Sequence, residues 1–263
     1  MFLPDYHIHT ARCGHARGTV AEYIEQAIAK GLPAIGFADH LPMYWLSERD
    51  RDPGIAMHMK ELAGYMEEIE HNRKHHADLE IMLGIEADFI PGYEKELSVL
   101  LDSFPFDYVL GSVHFIDGWG FDNPDYLAEY EHKDIDELYE KYFTLVQQAA
   151  TSGLFDIIAH PDLIKKFGFR SVKDLTAIYE ATVRICAQEG VALEVNTAGL
   201  RVPAQEIYPS LALLKLCKKS GVRISTGSDA HEPHLVGYAF DQAKHLLQAA
   251  GYEDLFIIKG RDR

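Results

Sequence analysis

The sequence contains few cysteines, and no two of them form a CxxC pair. There are three in 263 residues, Cys13, Cys186 and Cys217, and they lie far apart. A disulfide-stabilised secreted domain usually carries an even number of cysteines at regular spacings. We therefore expect a reduced, cytoplasmic protein without disulfides.

Long apolar segments are missing as well. No apolar run approaches the ~20 residues that a membrane-spanning helix needs. The opening segment, MFLPDYHIHT, lacks the basic and then apolar layout of a signal peptide. Hydrophobic residues make up 47% and charged residues 25% of the chain, as is usual for folded globular proteins. These values argue against a membrane, collagen-like or disordered chain.

Positive charge is scarce. Lysine and arginine together number 25, against 41 aspartates and glutamates, which gives a net charge of −16. We therefore expect no binding to nucleic acid or to an anionic membrane through long-range attraction. A small anionic substrate remains compatible with this charge, because bound metal ions can reverse the charge locally.

Internal repeats, low-complexity tracts and long linkers are absent, so we expect residues 1–263 to form a single domain. Apolar runs with β-branched residues alternate with longer segments of helical pattern. Strands are predicted at residues 5–9, 34–40, 80–89, 108–115, 157–160, 192–196 and 223–228. A further run, 256–259, is either an eighth strand or a terminal tail. Helices are predicted at residues 20–30, 59–75, 93–101, 134–151, 173–188, 208–220 and 235–250.

The alternation of strand and helix, repeated seven times, indicates parallel βαβ units. Two architectures fit this order, a closed barrel and an open doubly wound sheet. The length is close to the ~250 residues that are typical of one (β/α) barrel. The polar residues decide between the two.

Almost every predicted strand ends in residue types that bind metal ions. These residues are His7, His9, Asp39, His40, Glu86, Asp88, His114, His160, Asp162, Glu194, Asn196, Asp229 and His231. In a barrel the carboxyl ends of the strands converge on one face, whereas opposite edges of an open sheet are too far apart to share a site. The pattern therefore favours an α/β fold with a closed or nearly closed barrel of seven parallel strands.

His7 and His9 form an HxH pair in the first predicted strand. Residues two apart in a strand point to the same side, so both imidazoles can bind one ion, and His15 in the next loop can reach the same mouth. Imidazole together with carboxylate suits zinc, iron or manganese. Seven histidines and two carboxylates are too many for one tetrahedral zinc. We therefore expect two or three divalent ions with a bridging carboxylate.

The remaining seven histidines lie mostly on helical segments, and we interpret them as solvated or partly packed. They are His58, His71, His75, His76, His132, His234 and His245. Asp39 and Asp162 are either ligands or partners that orient a neighbouring imidazole. Glu194 is either such a partner or a polar residue of the barrel interior. Cys13 is within reach of a metal ion, but we interpret it as a small loop residue near the mouth.

The motifs HIHT, FADH, GIEADF, GSVHF, AHPD and GSDAH, in this order, resemble the PHP (polymerase and histidinol phosphatase) family. The resemblance runs from residue 5 to about residue 237. DYHIHT, RCGHA, AHPDLIKKFG and EVNTAGLR are most similar to its histidinol-phosphate phosphatases. The resemblance implies a distorted seven-stranded TIM-like barrel with three metal ions. It also implies hydrolysis of a small phosphate ester, L-histidinol phosphate, in histidine biosynthesis.

The resemblance further implies nine metal ligands in three groups, and each position carries the expected residue type. His7, His9, Glu86 and Asp229 would hold the first ion; Glu86, His114 and His160 the second; and His15, His40 and His231 the third. Glu86 would bridge the first two ions.

The residues expected to be catalytic are Glu86, Asp229 and His231. A hydroxide held between metal ions is expected to attack phosphorus in line. Asp229, His231 and a metal-bound water are the candidates for protonating the leaving alkoxide. Arg201, after the sixth predicted strand, is expected to bind the phosphate, because a guanidinium can bind two phosphate oxygens with fixed geometry.

Three other hypotheses compete with this one. A phosphoesterase of the same family could act on nucleotides or another small ester. An amidohydrolase-like barrel usually needs a lysine or other bridging group after the fourth strand, where this chain has His114. A non-catalytic metal-binding or polymerase-associated module is disfavoured by the complete ligand set.

Overall fold

The computed structural model describes residues 3–258 and residue 260. The described strands are β1 (Asp5–Ile8), β2 (Ala34–Phe37), β3 (Glu80–Asp88), β4 (Tyr108–Ser112), β5 (Phe115–Ile116), β6 (Trp119–Gly120), β7 (Ile157–Ile158), β8 (Ala192–Asn196) and β9 (Ile224–Gly227). The α-helices are α1 (Val20–Ala29), α2 (Leu62–His75), α3 (Glu94–Asp102), α4 (Ile135–Thr151), α5 (Thr176–Glu189), α6 (Leu211–Ser220) and α7 (Phe240–Ala250). The alternation of strands and helices that the sequence predicts is confirmed.

Seven of these strands form one parallel sheet in the order β1-β2-β3-β4-β7-β8-β9. The two ends of the sheet meet, because Ile8 of β1 forms a parallel bridge with Ala230, just after β9. The backbone N–H of His9 donates to the carbonyl of Ala230 at 2.9 Å. The sheet is therefore a nearly closed barrel, which confirms the closed architecture over the open one.

Asp5 stabilises the seam between β1 and β9. Its buried carboxylate accepts hydrogen bonds from the backbone N–H of Ser228 at 2.8 Å and of Gly237 at 2.7 Å. The Ser228 hydroxyl donates to the same carboxylate. Burial raises the pKa of Asp5, and these hydrogen bonds oppose that rise. One side chain thus joins the first strand to the segments that follow the last.

The side chains inside the barrel are apolar at the amino end of the strands and ionisable at the carboxyl end. At the amino end Tyr108 fills the centre, and a Cβ atom on either Gly36 or Gly84 would lie 2.2 Å from it. Side chains two apart in a strand share a face, so Glu86 follows Gly84 on the interior side of β3. The lower interior is therefore apolar and closely packed, and ionisable groups begin at the carboxyl end.

A larger apolar core lies between the sheet and the surrounding helices. Each helix buries one face; α4, for example, buries Tyr142, Phe143 and Val146. None of the helices in the described part of the chain combines the length and the apolar character that a membrane span requires.

The sequence left residues 256–259 as either an eighth strand or a terminal tail. For residues 256–258 the structure decides between the two. Residues 256–258 form no strand; Phe256 donates its N–H to Ile224 at 2.8 Å, and Ile258 packs with the interior residues Tyr6 and Tyr108. These residues are therefore a tail that covers the amino end of the barrel. Lys259 lies outside the described residues.

Several element boundaries differ from prediction. The strand predicted at residues 108–115 ends at Ser112, after which β5 and β6 form an antiparallel hairpin. The helix predicted at 235–250 begins at Phe240, because Ala239 adopts a left-handed φ of 54°. The nine-residue 3₁₀ helix Pro124–His132 has no counterpart among the predicted helices. These differences concern segments near the barrel mouth, where tertiary contacts outweigh local pattern.

Candidate metal centre and active site

The seven histidines predicted at the barrel mouth lie together. The ring of His9 is 5.0 Å from that of His7 and 4.1 Å from that of His231, measured between centroids. On the opposite side the His114 and His160 rings are 5.0 Å apart. Further ring contacts connect the two groups through His7 and His160, at 5.6 Å. The seven histidines lie in or after five different strands and share one site.

Glu86 lies at the centre of this cluster and is almost fully buried. Its Oε2 atom is 3.0 Å from His40 Nδ1, 3.2 Å from His7 Nε2 and 3.4 Å from His9 Nε2. Its Oε1 atom is 3.0 Å from His160 Nε2 and 3.6 Å from His114 Nε2. The two oxygens therefore face two different sets of imidazoles, which is the arrangement a bridging carboxylate requires.

Opposing effects act on the Glu86 carboxyl. Burial raises its pKa, but the neighbouring imidazoles, His40 and His7 foremost, outweigh burial and hold the pKa well below its usual value. Asp229 behaves in the same way: burial raises its pKa, and His7, His9 and His231 lower it further than burial raises it. Both carboxylates are therefore negatively charged at neutral pH.

Several buried polar atoms at the mouth have no hydrogen-bond partner. They are His7 Nε2, both ring nitrogens of His9, His160 Nδ1 and Glu86 Oε2. Buried polar atoms are rarely left unpaired, because desolvation without a partner costs about 1–3 kcal/mol each. Divalent ions would satisfy such atoms. The candidate ligand atoms of His7, His9 and Glu86 all lie within 4.8 Å of one another, as do those of His7, His160 and Asp229. The donor set therefore fits bound metal ions.

Two carboxylates orient the imidazoles of His7 and His114 by binding the ring nitrogen that faces away from Glu86. His7 Nδ1 donates to Glu194 Oε1 at 2.8 Å, and His114 Nδ1 donates to Asp88 Oδ1 at 2.9 Å. Each contact leaves Nε2 directed at Glu86, an arrangement common among metal-binding histidines. Glu194 needs a glycine on the neighbouring strand β9, because a Cβ on Gly227 would lie 2.0 Å from Glu194 Oε1. Of the two alternatives for Glu194, the structure places it as an orienting partner.

The structure separates the roles of Asp39 and Asp162. Asp39 accepts a hydrogen bond from the backbone N–H of Thr10 at 2.7 Å and lies 3.7 Å from His9 Nδ1. Asp162 instead accepts from Lys165 Nζ at 3.0 Å and from the Ser210 N–H at 2.8 Å. Asp39 therefore packs beside the cluster, whereas Asp162 joins two loops behind it.

Three of the residues after the barrel strands hold backbone conformations that favour glycine. His160, Asp162 and Asp229 have φ angles of 28°, 71° and 55°. Such conformations cost a non-glycine residue of order 1–3 kcal/mol and are concentrated at functional sites. Two of the three, His160 and Asp229, direct their side chains toward the cluster.

Arg201 lies beside this cluster with one nitrogen engaged. Its Nη2 donates to the carbonyls of Ser228 at 3.0 Å and Asp229 at 2.9 Å, and its guanidinium stacks 5.2 Å from the Tyr238 ring. The other nitrogen, Nη1, is buried without a hydrogen-bond partner. The arginine thus supports the loop that carries Asp229 and keeps one donor group for a further acceptor.

The third group of histidines surrounds a cysteine. His15 Nε2 lies 2.9 Å from His231 Nε2. Burial raises the pKa of the neighbouring Cys13 thiol, but the adjacent imidazoles of His15, His231 and His9 outweigh it and lower the pKa to about 3. Cys13 therefore contacts the cluster directly.

One contact of the site has no counterpart in the sequence prediction. The Ser112 hydroxyl donates a short hydrogen bond to Glu86 Oε1. Ser112 precedes His114 by two residues in GSVHF, but the register of β3 and β4 that brings it to Glu86 has no local signal in the sequence.

The comparisons with known proteins agree with this geometry. The family model of the PHP domain matches residues 5–198. A probable histidinol-phosphatase of Deinococcus radiodurans is 43% identical over 251 residues, which cover 95% of this chain and 94% of the relative. The histidinol-phosphatase of Bacillus subtilis is 30% identical over 262 residues and covers 90% of this chain and 96% of its own.

A solved structure shares the fold. The histidinol phosphate phosphatase of Lactococcus lactis, complexed with zinc, L-histidinol and phosphate, superposes with a TM-score of 0.82 at 24% identity. The alignment covers 96% of this chain and 95% of that one. The resemblance that the motifs indicate is confirmed, and this chain belongs to the PHP-domain family.

Proposed function

We propose that this chain is a metal-dependent phosphatase that hydrolyses L-histidinol phosphate to L-histidinol and phosphate in histidine biosynthesis. The observation that carries the proposal is the buried carboxylate of Glu86 between two sets of imidazoles at the mouth of the barrel. Relatives that are 43% and 30% identical over nearly the whole chain bear the name histidinol-phosphatase.

The cluster is proposed to hold two or three divalent ions, of zinc, iron or manganese. The first would be bound by His7, His9, Glu86 and Asp229, the second by Glu86, His114 and His160, and the third by His15, His40 and His231. Such ions lower the pKa of coordinated water and neutralise phosphoryl oxygens. The mixed nitrogen and oxygen donors and the unpaired buried nitrogens support this assignment.

The chain's own residues position the reaction. Glu194 and Asp88 fix the orientation of His7 and His114 through hydrogen bonds of 2.8 and 2.9 Å. Arg201 Nη1, buried and unpartnered, is proposed to donate to a phosphate oxygen. The arginine's other nitrogen is already held by backbone carbonyls, so the guanidinium loses little freedom when substrate binds.

The leaving alkoxide needs a proton. Asp229 and His231 are proposed to assist its transfer from water; Asp229, which is ionised, would accept the proton before passing it on. Both residues follow β9, next to the carbonyl groups that hold Arg201. His231 Nδ1 donates to the Asp229 carbonyl at 3.1 Å, which keeps the ring beside Asp229. Their position next to the proposed phosphate site supports a role in proton transfer to the ester oxygen.

We further propose that the protein works in the reducing cytoplasm. All three cysteines are buried free thiols. Two of them, Cys186 and Cys217, lie in the apolar core between sheet and helices. Free thiols of this kind are typical of proteins that fold without disulfides.

The deciding experiment is phosphate release from L-histidinol phosphate, compared with sugar phosphates and nucleotides, on protein loaded separately with zinc, manganese or iron(II). We expect strong preference for L-histidinol phosphate with at least one metal. Comparable turnover of another ester would keep the phosphoesterase chemistry and reject the histidine pathway. Absence of turnover with every metal would reject the enzymatic function.

A further inference from the structure

Cys13 differs from the other two cysteines in its surroundings. Cys186 and Cys217 pack among apolar side chains of the core. Cys13 ends the short 3₁₀ turn Ala11–Cys13 after β1 and is fully buried among histidines. The candidate ligand atoms of Cys13, His15 and His231 all lie within 4.8 Å of one another. One sulfur and two imidazoles therefore surround a common point.

The hydrogen bonds of His15 and His231 determine which ring nitrogens carry protons. His15 Nδ1 is 3.0 Å from the carbonyl oxygens of Cys13 and Gly54, and His231 Nδ1 is 3.1 Å from that of Asp229. A carbonyl oxygen only accepts, so Nδ1 is the donor in both rings. In a neutral imidazole the other nitrogen, Nε2, then carries a lone pair and no hydrogen.

The two Nε2 atoms face each other at 2.9 Å. Two lone pairs at this distance repel, and neither neutral ring can donate to the other. A cation held by both nitrogens, either a proton or a metal ion, removes this conflict, and only a metal ion can also bind the Cys13 sulfur beside them. Imidazoles that bind metal through one nitrogen commonly donate from the other to a backbone carbonyl, as both rings do here.

The imidazole of His9, proposed above as a ligand of the first ion, also lies against Cys13. The side chain of His9 is fully buried, and neither of its ring nitrogens has a hydrogen-bond partner. The candidate ligand atoms of His9, Cys13 and Asp39 lie within 4.8 Å of one another. An unpaired buried imidazole therefore lies near the sulfur as well, and Cys13 faces ring nitrogens of three histidines.

We propose that Cys13 Sγ is a thiolate ligand of the ion held by His15 and His231. The inference rests on the proposed function, because this ion is the third of the cluster described above. With His40, assigned there to the same ion, the set has four protein ligands, the number typical of structural zinc sites. The sulfur would bind as the thiolate, the charged form of cysteine that coordinates metal ions.

The ligand types make the third position unlike the other two. Thiolate and imidazole favour zinc, whereas carboxylate ligands also accept manganese. Glu86 and Asp229 contribute oxygen to the other two positions, as proposed above. We therefore expect the Cys13 position to retain zinc when manganese replaces the ions beside Glu86.

The test is a cobalt(II) titration of the metal-free full-length chain, followed by near-ultraviolet absorption. Cobalt bound to a thiolate shows a sulfur-to-metal charge-transfer band that nitrogen and oxygen ligands do not produce. We expect the band in the unmodified protein and in the matched control Cys186→Ala, and its loss in Cys13→Ser. Affinity for one ion should fall by at least the roughly 10–100-fold that loss of an outer-shell partner causes.

A second measurement avoids any dependence on the variant's folding. Zinc X-ray absorption on the unmodified protein should show sulfur in the coordination shell. Full cobalt occupancy and normal phosphate release without a sulfur band, or zinc spectra without sulfur, would overturn the Cys13 assignment and leave the proposed function intact. Failure to bind metal together with no phosphate release would reject both.

Discussion

The fourteen histidines form two sets of seven that differ in their surroundings rather than in residue type. At the barrel mouth the rings contact one another around Glu86, and His7 and His9 are fully buried. Elsewhere, His71 and His75 lie on α2, where their rings are 4.2 Å apart and both are exposed. Proximity of two imidazoles is therefore common to both sets, and only the mouth adds buried carboxylates and unpaired nitrogens.

This difference shows that position at a strand end matters more than the spacing of histidines. His75 Nδ1 is satisfied by the His71 carbonyl at 2.7 Å within the same helix. The polar atoms nearest to His9 Nε2 come from other strands: Asp229 Oδ1 at 3.2 Å and Glu86 Oε2 at 3.4 Å. Convergence of several strands supplies what a single helix cannot, namely carboxylates that approach from other parts of the chain.

The largest effect is expected from removing the negative charge of Glu86, because the histidines on α2 have no such buried carboxylate. Glu86→Gln keeps the side chain's shape but weakens both sets of contacts, so we expect a loss of metal affinity above roughly 100-fold and loss of most turnover. Metal content after dialysis and phosphate release measure these effects. Glu189→Gln, at the exposed end of α5, is the matched control. Unchanged metal content in Glu86→Gln would show that the buried carboxylate does not distinguish the histidines at the mouth from the other seven.

A smaller effect should separate substrate binding from metal binding. Arg201→Ala removes the proposed phosphate donor, and a charge-assisted hydrogen bond of about 1.5–3 kcal/mol predicts a rise in KM of roughly 10–100-fold. Metal content should stay close to that of the unmodified protein, because Arg201 contacts backbone carbonyls and no ligand-type side chain atom. Steady-state kinetics with metal analysis test this. An unaltered KM and kcat would exclude Arg201 from the phosphate site.

A still smaller effect on metal affinity is expected from weakening Glu194, which orients the imidazole of His7. Glu194→Gln keeps an oxygen that can accept from His7 Nδ1 but removes the negative charge. We expect metal affinity to fall about tenfold, the lower end of the range for such partners. Competition with a chelator measures it, and Glu180→Gln on the exposed face of α5 is the control. A loss as large as that of Glu86→Gln would make Glu194 a direct ligand.

The smallest effect is expected in the second set of histidines. The double variant His71→Ala/His75→Ala should retain metal content and turnover, and its free energy of unfolding should change by less than about 0.5 kcal/mol. Urea unfolding and metal analysis check both quantities. Loss of an ion from this variant would show that the helical pair binds metal in its own right.

The strands and the convergence of ligands were predictable because both have short-range signals. The strand predicted at residues 192–196 matches β8 at both ends, and the HxH spacing of His7 and His9 does bring their rings together. The PHP motifs then assign residues to positions that lie far apart along the chain, which composition and periodicity cannot do.

The contacts that were not predictable depend on register and on loops. Ser112 reaches Glu86 because β3 and β4 pair with Asp88 opposite Ser112, and the register of two strands 20 or so residues apart has no local signal. Asp162 follows His160 in the AHPD motif, yet it binds Lys165 and the Ser210 N–H instead of an imidazole. Its left-handed backbone turns the carboxylate away from the mouth, and a single sequence does not reveal that conformation.

The seam at Asp5 determines when the ligand set can form during synthesis of the chain. Ser228 and Asp5 are 223 residues apart in the chain, and the same seam brings His7 and His9 to Asp229. During synthesis the ribosome must therefore release almost the whole chain before this ligand set can assemble. Such distant contacts slow folding, and an ion that binds only the closed barrel stabilises it by mass action. Metal supply would then affect the yield of folded protein as well as its activity.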